Sequence, residues 1–264
     1  GRCRIAFVHF HCMTQKALGF GVDIGGSGVK GAVVDLRTGV FVGERVKIAT
    51  PQPATPEAVA EVVGQIVDEC AWEGPVGITL PSVVTQQVAR SAANIDESWV
   101  GTNVHDLFTQ ALGRETISVL NDADAAGIAE VAFGSDTARS GAVIFLTFGT
   151  GIGSAFLVDG TLFPNTELGH MLVDGTEAEH FASSAAKDRE ELSYKKWAKH
   201  VDKVLHEYDR LFNPAAFIVG GGISRHADKW VPLLTVDTPV APAALRNRAG
   251  IVGAAMAGQD HVAP

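Results

Sequence analysis

The chain has 264 residues, of which 46% are apolar and 19% are charged, a balance typical of a packed globular protein. Its formal net charge of −9 argues against binding to nucleic acids or membrane surfaces, because both depend on cationic patches. The three cysteines share no metal-ligand spacing, and the sequence shows neither a signal peptide nor an apolar stretch of about 18 residues. We therefore expect a cytoplasmic protein in a reducing compartment.

Residues 17–48 contain three short β-rich segments, LGFGVDIG, VKGAVVDL and FVGERVKI, which are separated by turn residues. This pattern predicts an antiparallel meander. Residues 55–72 then place apolar side chains at helical spacing, with Thr55 as N-cap and Pro56 at the first helical position. The helix should cover the meander. Met13-Thr14-Gln15-Lys16 reads like an ordinary start, so residues 1–12 are expected to be an upstream extension. Residues 1–16 together are expected to be an N-terminal extension outside the fold.

Two further strands are predicted at 76–80 and 116–120, and the second runs into Asn121-Asp122 and an alanine-rich helix ending near Phe133. Residues 142–158 repeat the strand, glycine turn and strand of the first meander, which indicates that the two halves are diverged duplicates. A polar helical region (178–212), a strand (216–219) and a terminal helix (246–257) complete the chain.

Three glycine-rich turns are candidate phosphate sites, because backbone amides without side chains can converge on an anion. They are Asp23-Ile24-Gly25-Gly26-Ser27-Gly28, Phe148-Gly149-Thr150-Gly151-Ile152-Gly153 and Gly220-Gly221-Gly222. Each alone could be an ordinary tight turn, but three in one chain favour a phosphate ligand. Lys30 could meet a phosphate or be an exposed strand lysine. Asp23 could hold Mg²⁺ through water or accept backbone N–H groups of the turn.

Two other clusters carry side chains suited to acid–base chemistry or sugar binding. Asn121-Asp122 stands at a strand-to-helix junction, where a carboxylate can accept a hydroxyl proton or simply cap the helix. Glu167 and His170 could hydrogen-bond the hydroxyls of a sugar, or belong to an ordinary surface loop.

The order of the motifs DIGGSGVKGAVV, LPSVV, NDADAAGIAE, FLTFGTGIGSAF, ELGH, IVGGGIS and LRNRAGIVGAA resembles the ROK family (repressors, open reading frames, kinases) over residues 18–257. Within that family, GHMLVDGTEAEHFAS, LSYKKWA and TPVAPAALRNRAGIVGAA look like the polyphosphate glucokinases and polyphosphate/ATP glucomannokinases of actinobacteria. The resemblance implies an α/β fold of the two-lobed actin-like ATPase type (ribonuclease H-like, hexokinase-type) with a duplicated βββαβα core. The lobes would span 17–121 and 122–245, with the helix 246–258 packing back on the first.

The same resemblance implies a role for each matching residue. Asp122 would be the catalytic base, and the sugar ligands would be Ser82, Asn103, Asn121, Asp122, Glu167, His170 and Glu179. The phosphate-donor site would comprise Gly25, Gly26, Ser27, Lys30, Thr147, Gly149, Thr150, Gly221 and Gly222. Many members carry a CxCGxxGC zinc cluster after the GH dipeptide. This chain has no cysteine beyond Cys70, so we expect no structural zinc and a His170 left to bind sugar.

The expected activity is transfer of a terminal phosphoryl group to the 6-hydroxyl of glucose, with mannose as a further acceptor. The donor would be inorganic polyphosphate, ATP or both, and the cofactor would be Mg²⁺. Relatives of this kind suggest a homodimer. The alternatives are a strictly ATP-dependent hexose kinase, an enzyme forming amide or acyl phosphates, or a sugar sensor that has lost the chemistry. A polyphosphate track, meaning a path of positive charge that leads away from the site of transfer, would need basic residues. Each candidate is equally explained as a solvated surface charge. The candidates are Lys30, Arg45, Lys187, Arg189, Lys195, Lys196, Arg225 and Lys229.

Overall fold

The computed structural model describes residues 18–92 and 95–261. These residues form two compact units, one comprising the chain up to Ala129 together with the segment from Arg248, the other Glu130–Asn247. The expected extension at residues 1–16 lies outside the described residues. No helix in the described ranges is long and apolar enough to span a membrane.

Strands and helices follow one another along the chain as in an α/β protein. The strands are β1 (Leu18–Gly25), β2 (Gly28–Asp35), β3 (Val40–Ile48), β4 (Val76–Leu80), β5 (Val84–Thr85), β6 (Val88–Ala89), β7 (Ile117–Asn121), β8 (Ala142–Phe148), β9 (Ile152–Val158), β10 (Thr161–Phe163), β11 (Leu172–Val173), β12 (Thr176–Glu177), β13 (Ala216–Gly220) and β14 (Val240–Pro242). The helices are α1 (Pro56–Glu69), α2 (Val104–Leu112), α3 (Asp122–Phe133), α4 (Ala178–Ala182), α5 (Ser184–Arg189), α6 (Tyr194–Phe212) and α7 (Ala249–Asp260).

Local sequence signals account for most of these boundaries. The predicted N-cap is confirmed, because the Thr55 side chain accepts a hydrogen bond from the Ala58 amide at 3.4 Å and Pro56 opens α1. The polar region predicted as helical over 178–212 is divided into three helices. Ser183 and Ser193 each cap a new helix there, which explains the two interruptions. The terminal helix begins at Ala249, after a 3₁₀ turn.

Each unit is built on a five-stranded mixed sheet, and the two sheets follow the same plan. Their strand orders are β3-β2-β1-β4-β7 and β10-β9-β8-β13-β14. In both, the first three strands of the sequence pair antiparallel, and the last two run parallel to the first. The predicted duplication is confirmed. Because parallel strands end at a common edge, the residues that follow β1, β4 and β7 are brought together in the first unit.

Helix α7 closes the first unit by packing on β1, β4 and β7. The approach is so close that a Cβ atom at Gly77 would lie 1.6 Å from the Ala254 carbonyl oxygen, so only glycine fits there. The C-terminal segment is therefore part of the core of the unit that contains the N-terminal strands.

The two units divide inside α3, between Ala129 and Glu130. Before the division, α3 lies against α7, and a Cβ atom on Gly253 would meet the Ala125 carbonyl oxygen at 1.8 Å. After it, the buried Glu130 carboxylate accepts hydrogen bonds from the Ala244 and Leu245 amides at 2.7 and 3.3 Å. The lobe boundary expected before Asp122, at the start of α3, stays a prediction.

Candidate active site

Asn121 is the last residue of β7 and its side chain is fixed at both ends. Its Oδ1 atom accepts hydrogen bonds from the amides of Ala123 and Asp124 at 2.8 and 3.2 Å, which caps the start of α3. Its Nδ2 atom donates to the Ser82 carbonyl oxygen at 3.2 Å. The cap consumes the acceptor of Asn121, so a sugar contact from this residue would come from its second N–H.

Asp122 is the first residue of α3 and lies at the carboxyl edge of the sheet. One carboxylate oxygen accepts a hydrogen bond from the Ala123 amide at 2.9 Å, and the side chain is half-buried. A carboxylate oriented at a strand end is the arrangement that a general base needs.

Ser82 and Asn103 are both engaged in local structure. The buried Ser82 hydroxyl donates to the Ser91 carbonyl oxygen at 2.7 Å and accepts from the Ser91 amide at 3.3 Å, which ties together the ends of the β5–β6 hairpin. The Asn103 side chain caps α2 by accepting from the Asp106 amide at 3.1 Å. Their sugar-binding roles stay predictions; Asn103 is exposed and keeps its Nδ2 donors, whereas a Ser82 contact would require its present hydrogen bonds to open.

The first glycine turn joins β1 and β2. Gly26 and Ser27 are exposed at its tip, and the Thr50 hydroxyl donates to the Gly25 carbonyl oxygen at 2.5 Å. Lys30 and Asp23 are register partners on the two strands, with Nζ and Oδ2 3.5 Å apart. The Lys30 ammonium is thus held near the turn, as a phosphate ligand would be.

Asp23 was the candidate for water-mediated Mg²⁺ binding. Its Oδ1 atom accepts a hydrogen bond from the Thr79 hydroxyl at 2.9 Å, and its Oδ2 atom faces Lys30. Its side chain is 23% exposed, enough for a carboxylate to meet a hydrated ion. One carboxylate acting through water fits the habits of Mg²⁺, which keeps most of its water ligands.

The second and third glycine turns meet in the second unit. Gly221 has φ of +82°, and a Cβ atom on it would lie 2.4 Å from the carbonyl oxygen of Phe148, the residue that precedes Gly149. Thr147 is half-buried in β8, while Gly149 and Thr150 are exposed. Candidate donor ligands from both turns are therefore adjacent.

Glu167, His170 and Glu179 also lie together in the second unit. The His170 Nε2 atom is 3.7 Å from Glu167, and its Nδ1 atom is 3.9 Å from Glu179. Glu179 connects this cluster to the second glycine turn, because its Oε2 atom accepts a hydrogen bond from the Ile152 amide at 3.1 Å. A Cβ atom on Gly151 would meet that same oxygen at 2.3 Å, so the turn needs glycine for this contact.

Glu177 completes the cluster and was missed by sequence reasoning. Its Oε2 atom is 3.1 Å from His170 Nδ1 and 3.5 Å from His180 Nε2. It lies on β12, in a small hairpin whose Asp174-Gly175 turn is a recognisable sequence signal. Tyr208 was also missed: its hydroxyl donates to the Leu168 carbonyl oxygen at 2.6 Å, and no local pattern marks that contact.

Electrostatics within this cluster follow from its geometry. The hydrogen bond to Glu177 raises the pKa of His170, with Glu179 and Glu167 adding to the effect and partial burial opposing it. Burial raises the pKa of the Glu167 carboxyl, because it disfavours the charged form. The nearby His170 opposes this shift, and the Glu167 side chain remains 38% exposed. Burial also raises the pKa of Tyr208. The imidazole is thus biased towards its charged form.

His170, Glu177 and Glu179 also place one ligand atom each within 4.8 Å of one another, a spacing that could hold a metal ion. The set has no thiolate and is unlike the cysteine cluster described above. A metal ion there would occupy two of the predicted sugar ligands, His170 and Glu179.

The two sheets share the same strand order, and each has a glycine turn after its first strand. This arrangement is that of the actin-like ATPase fold. Residues 19–183 match the ROK family, and this chain belongs to that family. The chain is 55% identical to the polyphosphate glucokinase of Mycobacterium tuberculosis over 244 residues, which cover 92% of each protein.

Two solved structures extend the comparison. The inorganic polyphosphate/ATP-glucomannokinase of Arthrobacter sp. superposes with a TM-score of 0.89 at 47% identity, covering 94% of this chain and 100% of that one. A ROK family glucokinase from Streptomyces griseus, solved in complex with glucose and AMPPNP, gives a TM-score of 0.77 at 26% identity, covering 90% and 98%.

Proposed function

We propose that this protein is a cytoplasmic glucokinase that transfers the terminal phosphoryl group of inorganic polyphosphate or ATP to the 6-hydroxyl of glucose, and also accepts mannose. The observation that carries the proposal is the 55% identity to a polyphosphate glucokinase across 92% of both chains. The likeness to a polyphosphate/ATP-glucomannokinase over 94% of this chain supports both donors and the second acceptor.

In the proposed reaction, Asp122 accepts the proton of the sugar hydroxyl while that oxygen attacks the terminal phosphorus. The bond from this phosphorus to the bridging oxygen of the donor breaks, and the shortened donor leaves with the electron pair. The Asn121 cap keeps the backbone beside Asp122 rigid, and Asn103, Glu167, His170 and Glu179 bind the sugar hydroxyls.

The donor phosphates bind to exposed amides of the glycine turns and to the Lys30 ammonium. Mg²⁺, held through water by Asp23, would neutralise charge on the donor phosphates. We further propose that the active protein is a homodimer, which light scattering after size-exclusion chromatography would test.

The test is an assay for sugar 6-phosphate with purified protein and Mg²⁺. It is run with ATP and, separately, with nucleotide-free long-chain polyphosphate, using glucose and then mannose as acceptor. Asp122→Asn protein purified in the same way controls for contaminating kinases. Product from polyphosphate alone is expected. Product from ATP only would reduce the activity to that of an ATP-dependent hexose kinase, and no product from either donor would favour a sugar sensor.

A further inference from the structure

Four side chains from three segments of the second unit gather around one aromatic ring. The Lys187 ammonium of α5 lies 4.8 Å from the centre of the Tyr194 ring, and the Lys229 ammonium lies 5.5 Å from it. The His226 ring packs against the same tyrosine, with 5.9 Å between ring centres. We call Lys187, Tyr194, His226 and Lys229 the basic cluster.

Further lysines lie beside the basic cluster, at the N-terminus of α6, where positive charge is unfavourable. Lys195, Lys196 and Lys199 lie in the first turns of α6, whose first turn has no acidic residue. The N-terminus of a helix already carries partial positive charge, so lysines there are unfavourable without a bound anion. In a chain of net charge −9, this concentration of cations points to an anionic ligand.

Few carboxylates neutralise the basic cluster. Lys187 is 3.3 Å from Asp188, but that aspartate side chain is 74% exposed and its attraction is screened by water. Lys229 makes no ion pair with any residue that the structure describes. The negative face of one ring thus helps to hold both ammonium groups. The Lys187 side chain is 15% exposed, whereas Lys229 is exposed and is the more open of the two to a further anion.

The basic cluster is continuous with the third glycine turn. A 3₁₀ segment, Gly222–Lys229, begins in that turn and carries Arg225, His226 and Lys229. Eight residues of 3₁₀ helix span at most about 16 Å, short enough for one linear polyanion to reach from the turn to Lys229. Arg225 lies between them, with its Nε atom donating to the Gly222 carbonyl oxygen at 2.7 Å.

The buried core holds this segment in place. Trp230 follows it directly and contacts Trp197 of α6 and Phe148 at the end of β8, with ring centres 4.9 and 5.8 Å apart. The same three side chains therefore fix the second glycine turn, the start of α6 and the far end of the 3₁₀ segment. The basic cluster is a preorganised surface rather than a set of independent lysines.

We propose that Lys187, Arg225 and Lys229 bind phosphate groups of inorganic polyphosphate beyond the one that is transferred. The inference rests on the proposed function and assigns the path of the donor chain away from the glycine turns. A repeating polyanion suits the site better than a nucleotide base does, because two ammonium groups already contact the Tyr194 ring on which a base would stack.

The test compares wild-type protein with the double variant Lys187→Gln/Lys229→Gln. Lys203→Gln is the matched control, since Lys203 lies on α6 about 180° around the helix from Tyr194 and pairs with Asp174. Binding of fluorescently labelled long-chain polyphosphate is measured by anisotropy at several salt concentrations, with glucose present and Mg²⁺ absent.

For the double variant, we expect the Kd for long-chain polyphosphate to rise about tenfold or more and the salt dependence to become shallower by about one unit for each lysine removed. Its ratio of kcat/KM for polyphosphate to kcat/KM for ATP should fall about as far as binding does, and its preference for long chains over tripolyphosphate should shrink. The control should match the wild type in both measurements.

The outcomes separate this inference from the proposed function. Wild-type protein that neither binds nor uses polyphosphate would overturn the proposed donor and the track with it. Wild-type protein that uses polyphosphate, with a double variant that binds it equally tightly, would overturn the track alone. Equal weakening in Lys203→Gln, or a loss confined to ATP, would also contradict the assignment.

Discussion

Asn121 and Asp122 are consecutive residues with different tasks. Asn121 is 7% exposed, and its Oδ1 atom accepts hydrogen bonds from the amides at the start of α3. Asp122 is half-buried and keeps its carboxylate at the edge of the sheet. Both interpretations of this dipeptide, helix cap and candidate base, are therefore compatible with one structure, because the cap is made by Asn121 and not by the candidate base.

Replacing Asp122 by Asn should lower kcat by about 10²–10⁴-fold, because the amide is nearly the same shape but accepts no proton. Glucose affinity, measured calorimetrically, should change little. Asp96→Asn is the matched control, since Asp96 is a half-buried cap of a 3₁₀ turn in the same unit. Turnover near the wild-type rate in Asp122→Asn would remove Asp122 from the role of base.

His170 is surrounded by three carboxylates, which favour its protonated form. Its pKa in the folded protein lies above the ordinary value of 6.5, and the hydrogen bond to Glu177 is the largest cause. A raised folded-state pKa means that the folded protein binds this proton more tightly than the unfolded chain does. The resulting stabilisation is fully present below about pH 6.5 and is lost as the pH rises through the folded-state pKa.

Glu177→Gln should lower the pKa of His170 towards its ordinary value, since the amide keeps a hydrogen-bonding shape without the charge. The measurement is an NMR titration of the imidazole, paired with thermal unfolding on both sides of neutral pH. The stability difference between wild type and variant should be larger at the acidic end. Asp174→Asn, in the neighbouring turn and away from the imidazole contacts, is the comparison. Equal titrations of His170 in all three proteins would contradict the assigned cause.

At the scale of elements, the two ends of α2 are both capped, and the N-terminal cap is a predicted sugar ligand. Asn103 caps its first turn, and Gly113 ends it in the left-handed conformation with φ of +62°. The cap uses only the Asn103 oxygen, which leaves the amide donors for a sugar. Structural and binding roles of this residue can therefore be separated by chemistry at a single atom.

Asn103→Asp should keep the cap, because a carboxylate accepts the same amide and suits the helix dipole, but it removes the donors. We expect an unchanged melting temperature and a KM for glucose raised by up to about tenfold, the worth of a lost hydrogen bond. Asn103→Ala should remove both the cap and the donors. Its KM for glucose should rise as well, and about 1 kcal/mol should be lost from the free energy of unfolding. Unchanged KM values in both variants would make Asn103 a cap only.

At the scale of the whole molecule, the first unit is discontinuous. Its sheet is built from residues before Asp122, yet its core is completed by α7, more than a hundred residues later. The second unit, Glu130–Asn247, lies in the chain between the two segments of the first. The first unit consequently reaches its final packing only when the C-terminal segment is present.

Gly77→Ala should lower the free energy of unfolding by about 1–3 kcal/mol or more, because its Cβ atom would collide with the Ala254 carbonyl of α7. The measurement is urea unfolding followed by circular dichroism. Gly64→Ala is the control: it adds a methyl group in α1 at 3.7 Å from Leu112, an ordinary contact, and alanine is the better helix former. A Gly77→Ala protein as stable as the control would mean that α7 does not constrain this strand.

The local elements, and through the order of the motifs the family, could be predicted from the amino-acid sequence alone. Strand alternation, glycine turns and the Thr55 cap depend on neighbouring residues, so they are readable without the fold. The sequence also identified Asp122 and the Glu167–His170 pair as candidates, while leaving each open to a structural interpretation.

The three-dimensional fold was needed to see which candidate residues contact one another. It joined Asn121 to Ser82, His170 to Glu177, Glu179 to the second glycine turn, and two lysines to Tyr194. Those contacts depend on how strands, turns and helices pack in three dimensions, which no local pattern encodes. The physical reason is that periodicity reports which face of an element is buried, whereas the partner of that face is chosen by the packing of the whole unit.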